Sequence, residues 1–174
     1  RQCRRQRQMC IRDRIDGDLI ADTFLNCVTN SGKDWRLAAS IESDLSLTTN
    51  LNRFPMQVTV NETAVGDRWL SFKLSDNQIN EFILNSSMPS VLGVEDSGHI
   101  VLASPHPNYE STWSLVGDGA MTLIAYLLAT TRLDESKLMD RGWKQRQSVK
   151  DVDRSKWSGN NKLSDVIEKS LLDN

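Results

Sequence analysis

The chain has 174 residues, of which 39% are hydrophobic and 25% are charged, and its formal net charge is −2. This composition is typical of one globular domain, and it excludes the strongly basic proteins that bind nucleic acid nonspecifically. The sequence contains no internal repeat and no low-complexity tract.

Residues 1–14 stand apart because they hold six of the 21 Lys and Arg residues and one of the 23 Asp and Glu residues. Back-translation of residues 4–14 resembles, in frame, the DNA of a transposase adapter used in short-read library preparation. A basic arm or a mitochondrial presequence would be the alternatives, but this stretch has no apolar stripe. We therefore interpret residues 1–14 as a translated adapter scar, disordered and outside the fold, and we expect the true N-terminus to be missing.

Without the scar, 15 basic and 22 acidic residues remain, so the formal charge is −7 and nucleic acid is an unlikely partner. Cys27 is then the single cysteine left. We expect a free, buried thiol with no disulfide and no cysteine-based metal cluster.

Alternating apolar and polar residues predict strands in the first half of the domain. The segments are TFLNCV (23–28), WRLAASIE (35–42), MQVTVN (56–61) and RWLSFKL (68–74). Such alternation is typical of an antiparallel sheet with one wet face.

The next segments predict a helix, a hairpin and a further strand. Ser75 and Gln78 have capping-box spacing, which favours a helix over residues 76–85. Two apolar arms, 91–94 and 100–103, flank an Asp-Ser-Gly turn and indicate a hairpin. Residues 111–116 (STWSLV) predict one more strand.

Residues 118–131 form an apolar run that Asp118 is suited to cap. A helix that is hydrophobic all round is buried or lies in lipid, and this run is shorter than the roughly 20 residues that span a bilayer. We expect a buried core helix in a single domain over residues 15–133, and no transmembrane span.

Beyond residue 133 the composition becomes polar. We predict a partly flexible extension over residues 134–161 and a short amphipathic helix over residues 162–174, which either docks on the domain or waits for a partner. Interleaved aromatic and basic side chains in the extension are candidates for a partner-binding surface. They are Trp143, Lys144, Arg146, Lys150, Arg154, Lys156 and Trp157. The alternative is a solvated tail whose tryptophans fold back on the domain.

Motifs for catalysis are missing from the sequence, which has no nucleophile elbow, no Walker loop and no complete dinucleotide fingerprint. His99 and His106 are interpreted as surface loop residues. Asp16, Asp18 and Asp22 lack the spacing of a calcium loop and are expected to be solvated. We accordingly assign no catalytic, cofactor-binding or metal-binding residues and expect no cofactor.

These patterns predict an α+β fold with an antiparallel, β-rich body. For function, the sequence favours a non-enzymatic binding or accessory domain of a bacterial protein, periplasmic or secreted rather than cytoplasmic, with a protein partner or a second copy of itself. The alternatives are a phage or assembly protein whose tail orders on oligomerisation, and an enzyme that uses unidentified carboxylates.

Overall fold

The structure is a computed structural model that describes residues 15–75, 82–84, 87–133, 138–142 and 169. The chain divides into two compact units, Arg1–Trp143 and Lys144–Asn174, and the elements below belong to the first. The helices are α1 (Gly17–Cys27), α2 (Leu45–Thr49), α3 (Asp67–Leu74) and α4 (Gly119–Thr130), with 3-10 turns at Thr29–Ser31 and Leu51–Arg53. The strands are β1 (Trp35–Ser40), β2 (Val58–Thr63), β3 (Phe82–Leu84), β4 (Val91–Val94), β5 (Ile100–Pro105) and β6 (Thr112–Val116).

The six strands form one mixed sheet in the order β2-β1-β4-β5-β6-β3. β1 pairs in parallel with both β2 and β4, whereas β5 and β6 continue the sheet antiparallel. The prediction of an antiparallel β-rich body is therefore wrong, because alternation reveals a half-buried strand but not its direction. The fold is α/β.

Helices cover both faces of this sheet and make three layers. α1 and α4 share one apolar cluster with Leu37 and Leu92. α3 packs on the other face, where Leu70 and Leu74 meet Ala38. Each layer is thus held by its own core, and β1 and β4 are buried between them.

Two of the predicted strands are helices. Residues 23–28 lie in and just beyond α1, and residues 68–74 lie within α3. Leu70 and Leu74 are four residues apart. This even spacing fits one face of a strand, but it also places both side chains on one face of a helix, as in α3. The predicted helix over 76–85 is wrong where it can be judged, since Phe82–Leu84 form β3.

The strands predicted at 35–42, 56–61 and 111–116 are confirmed in outline. The hairpin is confirmed as well, because β4 and β5 pair antiparallel around a turn in which Gly98 has a φ of 100°. A positive φ is the conformation that the Asp-Ser-Gly signal predicted.

Helix α4 exists, and Asp118 caps it by accepting hydrogen bonds from the amides of Ala120 (2.8 Å) and Met121 (3.1 Å). Its predicted burial is wrong. Within the described part of the chain, Thr122 and Ala129 are its buried residues, and its other apolar side chains are largely exposed. The exposed ones are Met121, Leu123, Ile124, Leu127 and Leu128. No described helix is both long and apolar enough to cross a membrane.

The acidic cluster is buried rather than solvated, which corrects the sequence interpretation. Asp16 caps α1 by accepting the amide of Leu19 at 3.1 Å, and Asp18 accepts the amide of Asp44 at 2.8 Å. Asp22 accepts the amide of Met139 at 2.8 Å and pairs with Arg53. These carboxylates satisfy backbone amides that would otherwise be buried without an acceptor.

Residues 138–142 lie against the domain through the same acidic groups. Met139 is buried in the core beside α1. The guanidinium of Arg141 lies 2.7 Å from Asp16, and the amide of Gly142 donates to Asp44 at 3.0 Å. The remainder of the predicted extension and the predicted helix over 162–174 lie outside the described residues, apart from Lys169, which is helical.

Candidate functional site at the carboxyl edge of the sheet

The topology brings three loops to one edge of the sheet. The carboxyl ends of β2 and β4 share this edge, because both strands run parallel to β1. β6 is antiparallel to β5 and therefore runs in the same direction as β4. In open α/β sheets, ligands bind beyond the carboxyl ends of the strands.

The central loop is the turn of residues 95–99, with the sequence Glu-Asp-Ser-Gly-His. Two backbone hydrogen bonds of 3.0 Å close it, from Glu95 to the carbonyl of His99 and from Gly98 to the carbonyl of Glu95. The start of α1 lies directly against this turn, since the Gly17 amide donates to the Asp96 carbonyl at 3.2 Å. A Cβ on Gly17 would lie 1.8 Å from the Glu95 carbonyl oxygen, so the contact requires glycine.

The Glu95 side chain connects the turn to the loop after β2. It is 3% exposed, and one of its oxygens accepts the backbone amide of Gly66. The other oxygen accepts the Ser97 hydroxyl at 3.2 Å and lies 3.1 Å from Nδ1 of His99. One buried carboxylate therefore fixes two exposed side chains in position.

His99 lies between two carboxylates. Its Nδ1 is 3.1 Å from Glu95 and 3.5 Å from Oδ1 of Asp67, the first residue of α3. A carboxylate only accepts hydrogen bonds, so Nδ1 carries the hydrogen and Nε2 is left for another partner. The imidazole side chain is 65% exposed, which leaves Nε2 open to a ligand.

Asp67 completes the site from the side of β6. A Cβ built on Gly117, which follows β6, would lie 3.0 Å from its Oδ2. Its Oδ1 is buried, and no described residue donates a hydrogen bond to it. The edge thus presents a hydroxyl, an imidazole nitrogen and carboxylate oxygens, which suit a ligand rich in hydroxyl groups.

Two clusters place potential metal ligands close together. Asp67, Glu95 and His99 form one, and Asp16, Asp18 and Asp96 form the other, with ligand atoms within 4.8 Å of one another. In the first cluster Nδ1 of His99 lies 3.1 Å from Glu95 and 3.5 Å from Oδ1 of Asp67. In the second, Asp16 is engaged by Arg141. The Glu95 carboxylate of the first cluster thus already accepts hydrogen bonds from Gly66 and Ser97, and Arg141 supplies positive charge to the second cluster.

The structure does not test the predicted partner-binding surface. Its seven residues, 143, 144, 146, 150, 154, 156 and 157, all lie outside the described residues. From the sequence, both histidines are interpreted as surface loop residues. His106 lies in the loop after β5 beside Tyr109, with ring centroids 4.6 Å apart. His99 is exposed, but it also belongs to the carboxyl edge through Glu95 and Asp67.

Three layers of α/β/α with polar loops at the carboxyl edge define an α/β domain with a candidate ligand site. Residues 16–146 match the family described as phosphoglucomutase/phosphomannomutase, alpha/beta/alpha domain III. The chain belongs to this family.

The proteins that resemble the chain include an enzyme and a solved structure. The chain is 28% identical over 166 residues to a phosphoglucosamine mutase of Paenarthrobacter aurescens (strain TC1), and the match covers 91% of this chain and 32% of that protein. The chain thus spans about a third of the length of this relative. A solved structure of a putative phosphomannomutase from Thermus thermophilus matches 70% of this chain and 24% of that one, with 18% identity and a TM-score of 0.43.

The family assignment overturns the functional interpretation of the sequence. A non-enzymatic binding or accessory domain is wrong, and so is a phage or assembly protein, because the matching family is one of sugar phosphomutases. The leaning against an enzyme is wrong for the same reason. Membership also disfavours the periplasmic or secreted location that the sequence favoured.

Proposed function

We propose that this chain is the sugar-recognising domain of a phosphohexomutase, an enzyme that moves a phosphoryl group between two hydroxyls of one sugar. The observation that carries the proposal is the Glu95 carboxylate holding Ser97 and His99 at the carboxyl edge. The family and the phosphoglucosamine mutase relative support it.

The chemistry of the edge favours the hydroxyl groups of the ligand over its phosphate. Carboxylate oxygens accept hydrogen bonds from hydroxyls, and so do the Ser97 oxygen and Nε2 of His99, because the Ser97 hydroxyl and Nδ1 of His99 direct their own hydrogens to Glu95. Asp67 and Glu95 are negatively charged when ionised, and like charges at this distance would repel a phosphate dianion. We therefore assign the sugar ring to the 95–99 turn.

The substrate class that we propose is a hexose or hexosamine phosphate, by analogy with the names of the family and of the phosphoglucosamine mutase relative. Such a substrate is charged and cannot cross a bilayer unaided. We accordingly propose that the enzyme works in the cytoplasm, where sugar phosphates are retained.

Binding of glucosamine 6-phosphate and glucose 1-phosphate to the chain, measured by calorimetry or NMR titration, tests the proposal. Ser97→Ala and His99→Ala each remove one protein group that would form a hydrogen bond with the sugar ring. We expect each to weaken binding by roughly 2- to 10-fold, the usual effect of one lost hydrogen bond.

The matched control is His106→Ala, which removes a half-buried loop imidazole outside the edge. It should leave the dissociation constant unchanged. Failure of both sugar phosphates to bind, or equal weakening by His106→Ala and His99→Ala, would refute the assignment of the ring to this turn.

A further inference from the structure

A separate cavity lies between α1, α4 and the sheet, at the opposite end from the carboxyl edge. Its volume is about 340 Å³. The last turns of α1 and α4 and the first residue of β1 contribute Phe24, Leu128 and Trp35, and Leu92 of β4 lies at its base. None of the residues of the 95–99 turn lines it.

The described residues that line the cavity are mostly apolar. Arg132, just beyond α4, is the charged one among them, and none of these described residues carries a carboxylate. The guanidinium is always ionised and binds carboxylates in a planar, two-point geometry. Apolar walls with a single cation at the rim complement a ligand that has an apolar body and an anionic head.

The volume limits the size of that body. An apolar protein cavity of about 150 Å³ holds one benzene molecule. This cavity is roughly twice as large, so it suits a chain of about eight carbons or two fused rings.

We propose that this cavity binds a small amphipathic carboxylate, with its apolar body between α1 and α4 and its carboxylate on Arg132. The site is independent of the sugar site, and the charge of Arg132 selects the occupant. A neutral apolar segment of another protein molecule would leave the charge of Arg132 without an ionic partner, whereas a carboxylate pairs with it.

Cys27 provides a reporter, because its half-buried thiol lines the cavity. In a Cys3→Ser, Cys10→Ser background, the alkylation rate of Cys27 by a small maleimide is measured with octanoate as probe. We expect labelling to slow about tenfold when octanoate is present at about ten times its Kd. Octanol should protect less, and octylammonium least.

Two substitutions separate the charge from the cavity. Arg132→Gln should weaken octanoate about tenfold and abolish its advantage over octanol. Ala125→Leu, on the cavity wall, should abolish protection, whereas Ala120→Leu, on the exposed first turn of the same helix, should not. Near-ultraviolet circular dichroism checks that each variant is folded.

Equal protection by octanoate and octylammonium would overturn the proposal, and so would protection that survives Ala125→Leu. A labelling rate that decreases as the protein concentration is raised, and that does not change with octanoate, would show that a second copy of the chain covers the cavity. That result would also overturn the proposal.

Discussion

Glu95 is the residue on which the geometry of the carboxyl edge depends. Its carboxylate accepts from Gly66 and Ser97 and holds Nδ1 of His99 at 3.1 Å. Because three donors point at this buried carboxylate, a side chain that itself donates hydrogen bonds cannot replace it without losing some of these contacts. The orientation of His99 is therefore a property of Glu95 rather than of the loop backbone alone.

Glu95→Gln tests this dependence. The amide can still accept from Gly66, but its NH2 then faces the Ser97 hydroxyl and His99 Nδ1–H, so the Nδ1–H tautomer of His99 loses its acceptor. We expect heteronuclear NMR spectra of the imidazole rings to show the Nδ1–H tautomer of neutral His99 in the wild type and a shift toward Nε2–H in the variant.

Glu62→Gln is the matched control, since Glu62 is an exposed residue of β2. It should leave the His99 signals unchanged, and neither substitution should move those of His106. An unaltered His99 tautomer in Glu95→Gln would show that Glu95 does not orient the ring.

Asp22 makes a second prediction at the level of one residue. Burial raises the pKa of its carboxyl above 3.8, although the Met139 amide and Arg53 lower it. The folded protein therefore holds this proton more tightly than the unfolded chain does. The contribution of this bound proton to the free energy of unfolding is complete below pH 3.8, and it is lost as the pH rises through the pKa of Asp22 in the folded protein.

Asp22→Asn removes this titration and keeps an oxygen for the Met139 amide. We expect the free energy of unfolding of the wild type, relative to the variant, to decrease between about pH 3 and about pH 7. Urea denaturation at several pH values measures it, with Asp34→Asn, an exposed position, as the control. A relative stability that increases with pH would mean that the Arg53 ion pair outweighs burial.

At the scale of elements, periodicity predicted more of the strands than of the helices. β1, β2, β4, β5 and β6 were anticipated within a few residues, because their alternation or flanking turns are local signals. α3 was missed, since Leu70, Phe72 and Leu74 fit a period of two, while Leu70 and Leu74 also fit a helical turn. Strand direction was missed because it depends on partners that are distant in sequence.

Gly93 shows how two elements depend on one position. A Cβ there would lie 2.9 Å from Cβ of Val101 on β5 and 3.1 Å from Cβ of Leu70 on α3. Glycine in the middle of a strand normally weakens it, but here it permits the close approach of helix and sheet. The packing of α3 on β4 thus requires a residue without a side chain at position 93.

Gly93→Ala should therefore destabilise the fold by roughly 1–3 kcal/mol, the usual cost of an added methyl in a close-packed core. Gly119→Ala is the matched control, because a Cβ at that position in α4 meets no atom within 4 Å, and it should be neutral or slightly stabilising. Urea denaturation measures both. Equal stability of the two variants would contradict the close packing.

At the scale of the whole molecule, the candidate site was beyond local sequence signals. Gly66, Asp67 and the 95–99 turn are about thirty residues apart, and only the parallel pairing of β2, β1 and β4 brings them together. The acidic residues 16, 18 and 22 were misjudged for the same reason, because their amide partners on other segments cannot be found from spacing.

The site also limits what this chain can do alone. Catalysis of phosphoryl transfer depends on positioning and on positive charge around the phosphoryl oxygens. The 95–99 turn and Asp67 supply carboxylates instead, and the chain spans about a third of its phosphoglucosamine mutase relative. We propose that the phosphoryl-binding groups lie in the rest of a full-length enzyme.

The isolated chain should therefore bind hexose phosphates without isomerising them. Phosphorus NMR of glucosamine 6-phosphate incubated with the chain should show no conversion to the 1-phosphate. The same sample should show ligand broadening that Ser97→Ala reduces. Conversion by the chain alone would place the phosphoryl-transfer groups within these 174 residues, and would require cations near the carboxyl edge that outweigh Asp67 and Glu95.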